Sequence, residues 1–156
     1  CTGNTCRSPM AELLMQQALA KCLGCSFEEL EARGVTVISA GIAAAPGCPP
    51  AAEAVQVIRE YGMDLSRHEA QPLTERLARD ADVILAMTSS HMQSIVDRWP
   101  DAASRTRLIL PERGDLADPI GQPVSAYRHC AAQIAAAVKH HADRIREELG
   151  LSAAEK

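Results

Sequence analysis

Aromatic side chains are scarce in this chain: one phenylalanine, one tryptophan and two tyrosines make up 3% of it. The four are Phe27, Tyr61, Trp99 and Tyr127, and none lies in sequence beside the Cys1 or Asp118 segments discussed below. A pocket that selects a phenyl ring needs flat apolar walls, and the sequence supplies none there. Basic stripes are also missing. With a formal net charge of −4 and dispersed Lys and Arg, the chain has no electrostatic footprint for nucleic acid, and none is expected as a partner. No apolar run approaches the length of a membrane span, so no membrane is expected either. Nothing at the start reads as a signal peptide. Six cysteines in that setting fit a reducing cytoplasm better than a disulfide framework. Internal repeats and low-complexity tracts are absent, and 156 residues correspond to one domain, residues 1–156, with a single core.

What is present is concentrated in Cys1-Thr2-Gly3-Asn4-Thr5-Cys6-Arg7-Ser8-Pro9-Met10-Ala11. Gly3 is read as allowing a positive φ, so that successive N–H groups from Thr2 to Arg7 point into one concavity, and Pro9 as opening a helix. The helix dipole adds to the field that favours an oxyanion. The planar fork of Arg7 can grip two phosphoryl oxygens. Cys1, facing that field, is expected to be largely thiolate, with Ser8 donating a hydrogen bond to the sulfur. The segment is a phosphate cradle carrying a nucleophile.

In this pattern of Cys, five residues, Arg and Ser, the chain resembles the low-molecular-weight protein tyrosine phosphatases. Ser39-Ala40-Gly41, the Asp64 to Leu73 stretch with His68, and Asp118-Pro119 follow in that family's order. The resemblance implies a three-layer α/β domain with a central parallel sheet of four strands flanked by helices. It also implies that an interior strand feeds Cys1. Residues are therefore expected upstream, trimmed away or forming the earlier part of a longer polypeptide whose C-terminal domain this is. By the same resemblance Cys1 is the nucleophile, forming a thiophosphoryl-enzyme, with Arg7 on the transition state. Asp118 is the general acid, with Asp115 in reserve. Thr2, Gly3, Asn4, Thr5, Cys6 and Ser8 bind the phosphoryl group, and Ser39 and His68 support the loop with Asn4 and Ser8. No metal or other cofactor is called for. The partner is a phosphorylated protein or peptide.

The remaining segments alternate helix and strand. Met10, Leu13, Leu14, Ala18 and Leu19 recur at helical spacing from Ser8 to about Leu23, with Gly24 as the stop. Ser26 and Glu29 suggest a capping box for a short helix through Ala32. Val35 to Ser39 reads as a strand, Ala43 to Pro50 as a loop, and Ala51 to Glu60 as a helix. Thr74 caps a helix to Arg79, Val83 to Ala86 is a strand, and Ser89 or Ser90 opens a helix to Trp99. Arg107 to Leu110 is the last strand. A loop from Pro111 to Pro123 leads to a helix from Ser125 to Leu149, and Ser152 to Lys156 is read as a frayed tail.

Two further cysteine readings matter. Cys22 and Cys25 supply only two ligands where structural zinc wants four, so they are read as a coincidence of a helix end. Cys6 shares the loop with Cys1 and is either a buried small residue or a partner in a reversible disulfide. His129, Cys130, His140 and His141 are read as surface and packing residues.

The choice of substrate turns on Thr5. Within the resembling family, a protein-arginine phosphatase branch carries Thr where the tyrosine phosphatases usually have a bulky aliphatic residue. Thr5 to Glu12 resembles the arginine version, whereas Ile120 stands where both branches commonly have an aromatic residue. The sequence therefore points to phosphoarginine in proteins, with phosphotyrosine as the alternative. An inactive phosphate-binding domain and an arsenate reductase rank lower, the latter because residues 83–99 hold no cysteine to relay a disulfide.

Overall fold

The computed structural model describes residues 1–152. Its elements are α1 (Arg7–Leu23), α2 (Ala52–Glu60), α3 (Glu75–Asp80), β1 (Ile84–Ala86), α4 (Ser89–Arg98), β2 (Thr106–Leu108) and α5 (Val124–Glu148). Short 3-10 turns occupy Glu31–Arg33 and Pro100–Arg105. β1 and β2 pair in parallel, Ile84 opposite Thr106 and Ala86 opposite Leu108. An isolated parallel bridge joins Gly41 to Pro72. Helices cover both faces of the sheet, which makes the domain a three-layer α/β arrangement.

One face carries most of the core. The apolar stripe of α1, with Met10, Leu14, Leu19 and Leu23 all but inaccessible, packs on α5 through Ala131, Ile134 and Val138. Val57 and Ile58 of α2 join the same cluster. Replacing any one of these large side chains by alanine costs about 2–5 kcal/mol on general grounds. Across the sheet, Ile95 of α4 packs with Ala86 and Ala102.

Helix ends follow local chemistry. Gly24 adopts the left-handed conformation at the end of α1, with φ 63°, as its place after the apolar run requires. The Thr74 side chain accepts from Leu77 N–H at 3.3 Å and caps α3. α4 is capped by Thr88 rather than Ser89 or Ser90, its hydroxyl accepting from His91 N–H at 3.1 Å. α5 opens one residue before Ser125, with Pro123 at the cap position.

Two expected elements differ. The segment expected to form a helix through Ala32 is instead a set of turns ending in the 3-10 turn: Glu29 does accept from Ser26 N–H at 2.7 Å, but left-handed Gly34 closes the run after too few residues to propagate a helix. Val35 to Ser39 is not a ladder strand. Among the described residues no backbone hydrogen bond joins it to β1, and a strand exists only where a neighbour supplies pairing. Between the two lies a cavity of about 780 Å³ walled by Val35, Val37, Ile84, Leu85, Ile109 and Val138. Among the described residues, four-stranded pairing is thus reduced to two strands and a bridge. Of the expected frayed tail, residues 153–156 lie outside the described residues.

Candidate active site

The cradle hangs between α1 and three backbone bonds from elsewhere. Ile42 N–H donates to Cys1 C=O at 2.9 Å, Ala43 N–H to Thr2 C=O at 3.0 Å and Ala51 N–H to Thr5 C=O at 2.9 Å. Gly41 allows the close approach. A Cβ built there would stand 2.4 Å from Thr2 O and 2.8 Å from Ala44 Cβ, closer than side chains adopt, and 3.0 Å from Asn4 N, a tight contact. The residue with positive φ in the loop is Asn4, at 57°, and not Gly3 as its lack of a side chain suggests. Asn4 can hold that conformation because its side-chain amide and its backbone carbonyl are all engaged.

That engagement fixes the direction of a chain of hydrogen bonds. The Asn4 amide Nδ2 donates to Ser8 Oγ at 3.0 Å and to Ser39 Oγ at 2.9 Å. Its Oδ1 accepts from Gln71 N–H at 2.9 Å, and its backbone C=O lies 2.8 Å from His68 Nε2. Each hydroxyl that accepts from Asn4 has one proton left to give. Ser39 gives it to Glu12 Oε2 at 2.5 Å, and Glu12 also accepts from Ser39 N–H at 2.9 Å. Ser8 gives it to Cys1 Sγ at 2.7 Å, the geometry that stabilises a thiolate. Asn4, Ser8, Ser39 and His68 are therefore brought together around Cys1, and Glu12 and Gln71 join them. Sequence reasoning missed those two: Glu12 sits in the second turn of α1 on the side facing Ser39, and Gln71 contributes mainly its main chain.

Arg7 is buried at the start of α1. Its Nη1 donates to Leu116 C=O at 2.9 Å and its Nη2 to Asp118 Oδ2 at 2.9 Å. The buried Nε finds no partner among the described residues, a donor left over for an anion. Asp118 is the partly exposed member of this pair, its side chain 42% accessible against 5% for Arg7. Asp115 is committed elsewhere. It accepts from Ser89 N–H at 2.6 Å and from Ser89 Oγ at 2.8 Å, and these bonds hold its carboxyl below the usual carboxylate range.

Thr5 is half-buried, with its hydroxyl 3.6 Å from Cys6 Sγ. Cys6 is buried and lies 3.5 Å from Tyr127 Oη, so the tyrosine is packed behind the loop and inaccessible to a ligand. Ile120 is 63% exposed beside Asp118, which accepts from its N–H at 3.2 Å. His91, nearly 90 residues away in sequence, places Nε2 2.9 Å from Thr2 Oγ1. Sequence reasoning missed it, because a histidine at the third position of a helix gives no signal by itself. All six cysteines are free, with Cys22 against Asp143 at 3.4 Å. Among the described residues no group of three or more His, Cys, Asp or Glu side chains is placed to hold a metal ion. No helix is long and apolar enough to cross a membrane.

An anion cradle, a sulfur with a donated hydrogen bond, a buried arginine with a spare donor and a neighbouring carboxylate can together support transfer of a phosphoryl group through a covalent intermediate. The chain as a whole is similar to known proteins. Residues 1–151 match the family described as low molecular weight phosphotyrosine protein phosphatase. A probable low molecular weight protein-tyrosine-phosphatase, EpsP, of Ralstonia nicotianae is 40% identical over 94% of this chain and 92% of its own. The protein-arginine-phosphatase of Geobacillus stearothermophilus is 34% identical over 95% and 94%. Among solved structures, the YwlE arginine phosphatase, as a cysteine-to-serine mutant with a phosphorylated active-site serine, superposes with a TM-score of 0.82 at 31% identity, covering 97% of this chain and 95% of that one. Matched along nearly its whole length, the chain belongs to the low molecular weight phosphotyrosine protein phosphatase family and is a cysteine-dependent protein phosphatase.

Proposed function

We propose that the protein removes phosphate from phosphoarginine in proteins, with Cys1 as nucleophile, Arg7 as the oxyanion clamp and Asp118 as general acid. The Cys1 thiolate attacks phosphorus as the bond to the guanidino nitrogen breaks, and Asp118 delivers a proton to that departing nitrogen. Arg7 Nε and the N–H groups of Thr2, Gly3, Asn4, Thr5, Cys6 and Arg7 face the three equatorial oxygens. A phosphoryl group claims Arg7, which loosens the Arg7–Asp118 pair and frees Asp118 to carry its proton. Water then attacks the thiophosphoryl group, Asp118 takes the water's proton, and the thiolate leaves to the hydrogen bond from Ser8. Ser39 and His68 hold Asn4, and so the loop, in place.

The observation that carries the choice of phosphoarginine is Thr5, a hydroxyl where a bulky aliphatic group would narrow and dry the cradle mouth. Its support is the setting: Tyr127 is sealed behind Cys6, and Tyr61 and Trp99 pack against the core clusters. One relative and one solved neighbour are arginine phosphatases. The free cysteines fit a reducing compartment, and we place the enzyme in the cytoplasm. The second reading, a phosphotyrosine phosphatase, is favoured by the 40% identity to EpsP.

Side-by-side kcat/KM values on phosphoarginine and phosphotyrosine peptides decide between them. The wild type is expected to favour phosphoarginine, and Thr5→Ile to shift the ratio towards phosphotyrosine by roughly ten- to two-hundred-fold, the scale of a methylene-sized change in a pocket. A wild type faster on phosphotyrosine overturns the arginine reading in favour of the second.

A further inference from the structure

We propose that His91 is a positioning residue that holds the Thr2 hydroxyl as a hydrogen-bond donor towards the bound phosphoryl group. The inference rests on reading the Cys1 loop as a phosphate cradle, and it adds a side-chain donor to a site otherwise built from backbone N–H groups and Arg7. His91 lies in the first turn of α4, 9% exposed, with Nε2 2.9 Å from Thr2 Oγ1. Its backbone is itself fixed, since His91 N–H donates to the Thr88 hydroxyl.

The direction of the His91–Thr2 bond follows from the other ring nitrogen. Nδ1 is buried and has no partner among the described residues. Were Thr2 to donate to Nε2, the proton of the neutral ring would sit on Nδ1 as an orphaned buried N–H, which folded proteins rarely tolerate. With the proton on Nε2, the ring donates to Thr2 and leaves only an unused acceptor behind. The ring is neutral at working pH, because its burial, the largest cause, lowers its pKa well below the ordinary histidine value. The Thr2 oxygen therefore accepts from His91, and its own proton is directed away from the ring. Thr2 is an exposed residue next to Cys1, so that proton is available to a ligand in the cradle.

His91 thus acts through Thr2 and touches no reacting atom. A purely structural histidine would affect stability alone, whereas this one sets where a donor points. Its effect must therefore vanish when Thr2 has no hydroxyl.

The test is a double-mutant cycle read by the inhibition constant of inorganic phosphate and by kcat/KM on a phosphorylated peptide. His91→Phe keeps the bulk and removes the donor, and is expected to weaken phosphate binding roughly five- to tenfold, the scale of one hydrogen bond. His91→Gln, which restores an N–H donor, is expected to recover most of the loss. In a Thr2→Val background, where the exposed position tolerates the swap, His91→Phe is expected to change neither constant further. Equal losses with and without the Thr2 hydroxyl, no rescue by glutamine, or no loss at all would each overturn the inference. Failure of the phosphatase reading looks different: the wild type would then neither bind phosphate nor turn over any phosphorylated peptide.

Discussion

Gly41→Ala is the perturbation whose effect follows most directly from the geometry. The added methyl would meet Thr2 O at 2.4 Å, Ala44 Cβ at 2.8 Å and Asn4 N at 3.0 Å. Ordinary contact begins at about 3.4 Å, so the Thr2 carbonyl must retreat by about 1 Å, and Thr2 and Asn4 are both backbone of the cradle. Side-chain rotation cannot relieve the clash. Overpacking of this kind costs about 1–3 kcal/mol of stability, while a 1 Å displacement of positioned groups costs on the order of 10²-fold in rate. The variant should therefore melt only a few degrees lower yet lose about a hundredfold in kcat on a phosphorylated peptide. Steady-state kinetics and thermal denaturation measure the two effects separately. Gly3→Ala is the stability control, because its Cβ would meet nothing nearer than Thr5 Oγ1 at 3.8 Å and its φ is not in the left-handed region, so its melting temperature should not move. Activity within threefold of wild type for Gly41→Ala would refute the claim that close approach at Gly41 sets the cradle.

Three further outcomes are expected. Asp118→Ala should slow phosphorylated substrates with poor leaving groups far more than activated aryl phosphates, since only the former need a proton from the enzyme; a uniform slowdown would remove Asp118 as the acid. Extending the chain upstream of Cys1 by a short β-branched apolar strand should fill the space between Val35–Ser39 and β1, and burying two large side chains there is worth about 3–6 kcal/mol in chemical denaturation; an unchanged midpoint would show that the cavity does not take a strand. His91 should make stability fall on acidification below about pH 6.5, because the unfolded chain binds a proton there that the folded state, its His91 pKa lowered by burial, refuses; His91→Gln should flatten that slope, and an identical slope would show that His91 does not set it.

The helices were the legible part of the fold. Met10, Leu14 and Leu19 mark the buried stripe of α1 by spacing alone, and Thr74 caps α3 through its own side chain, so both are local properties. The residues 35–39 have strand chemistry, but a ladder depends on a neighbour that no local pattern can supply. The candidate site divides the same way. Cys1, Arg7 and Ser8 share one short loop and helix start, so their spacing carries their roles. Asn4 was legible as a loop residue but not as the left-handed one, because what holds its φ comes from Ser39, His68 and Gln71, 35 to 67 residues away. Glu12 and His91 were hidden for the same reason, each acting on a partner far along the chain.

The central claim is that Cys1 takes the phosphoryl group from phosphoarginine, and rapid quenching followed by peptide mass spectrometry tests it directly. The wild-type enzyme, in excess over a phosphoarginine peptide, is mixed with it and acid-quenched in the millisecond range. The account predicts a transient phosphoryl group on the peptide that contains Cys1, with dephosphorylated arginine appearing alongside it, and no label in Cys1→Ala. Phosphate released with no phosphorylated Cys1 at any time, or label on another residue, would contradict it.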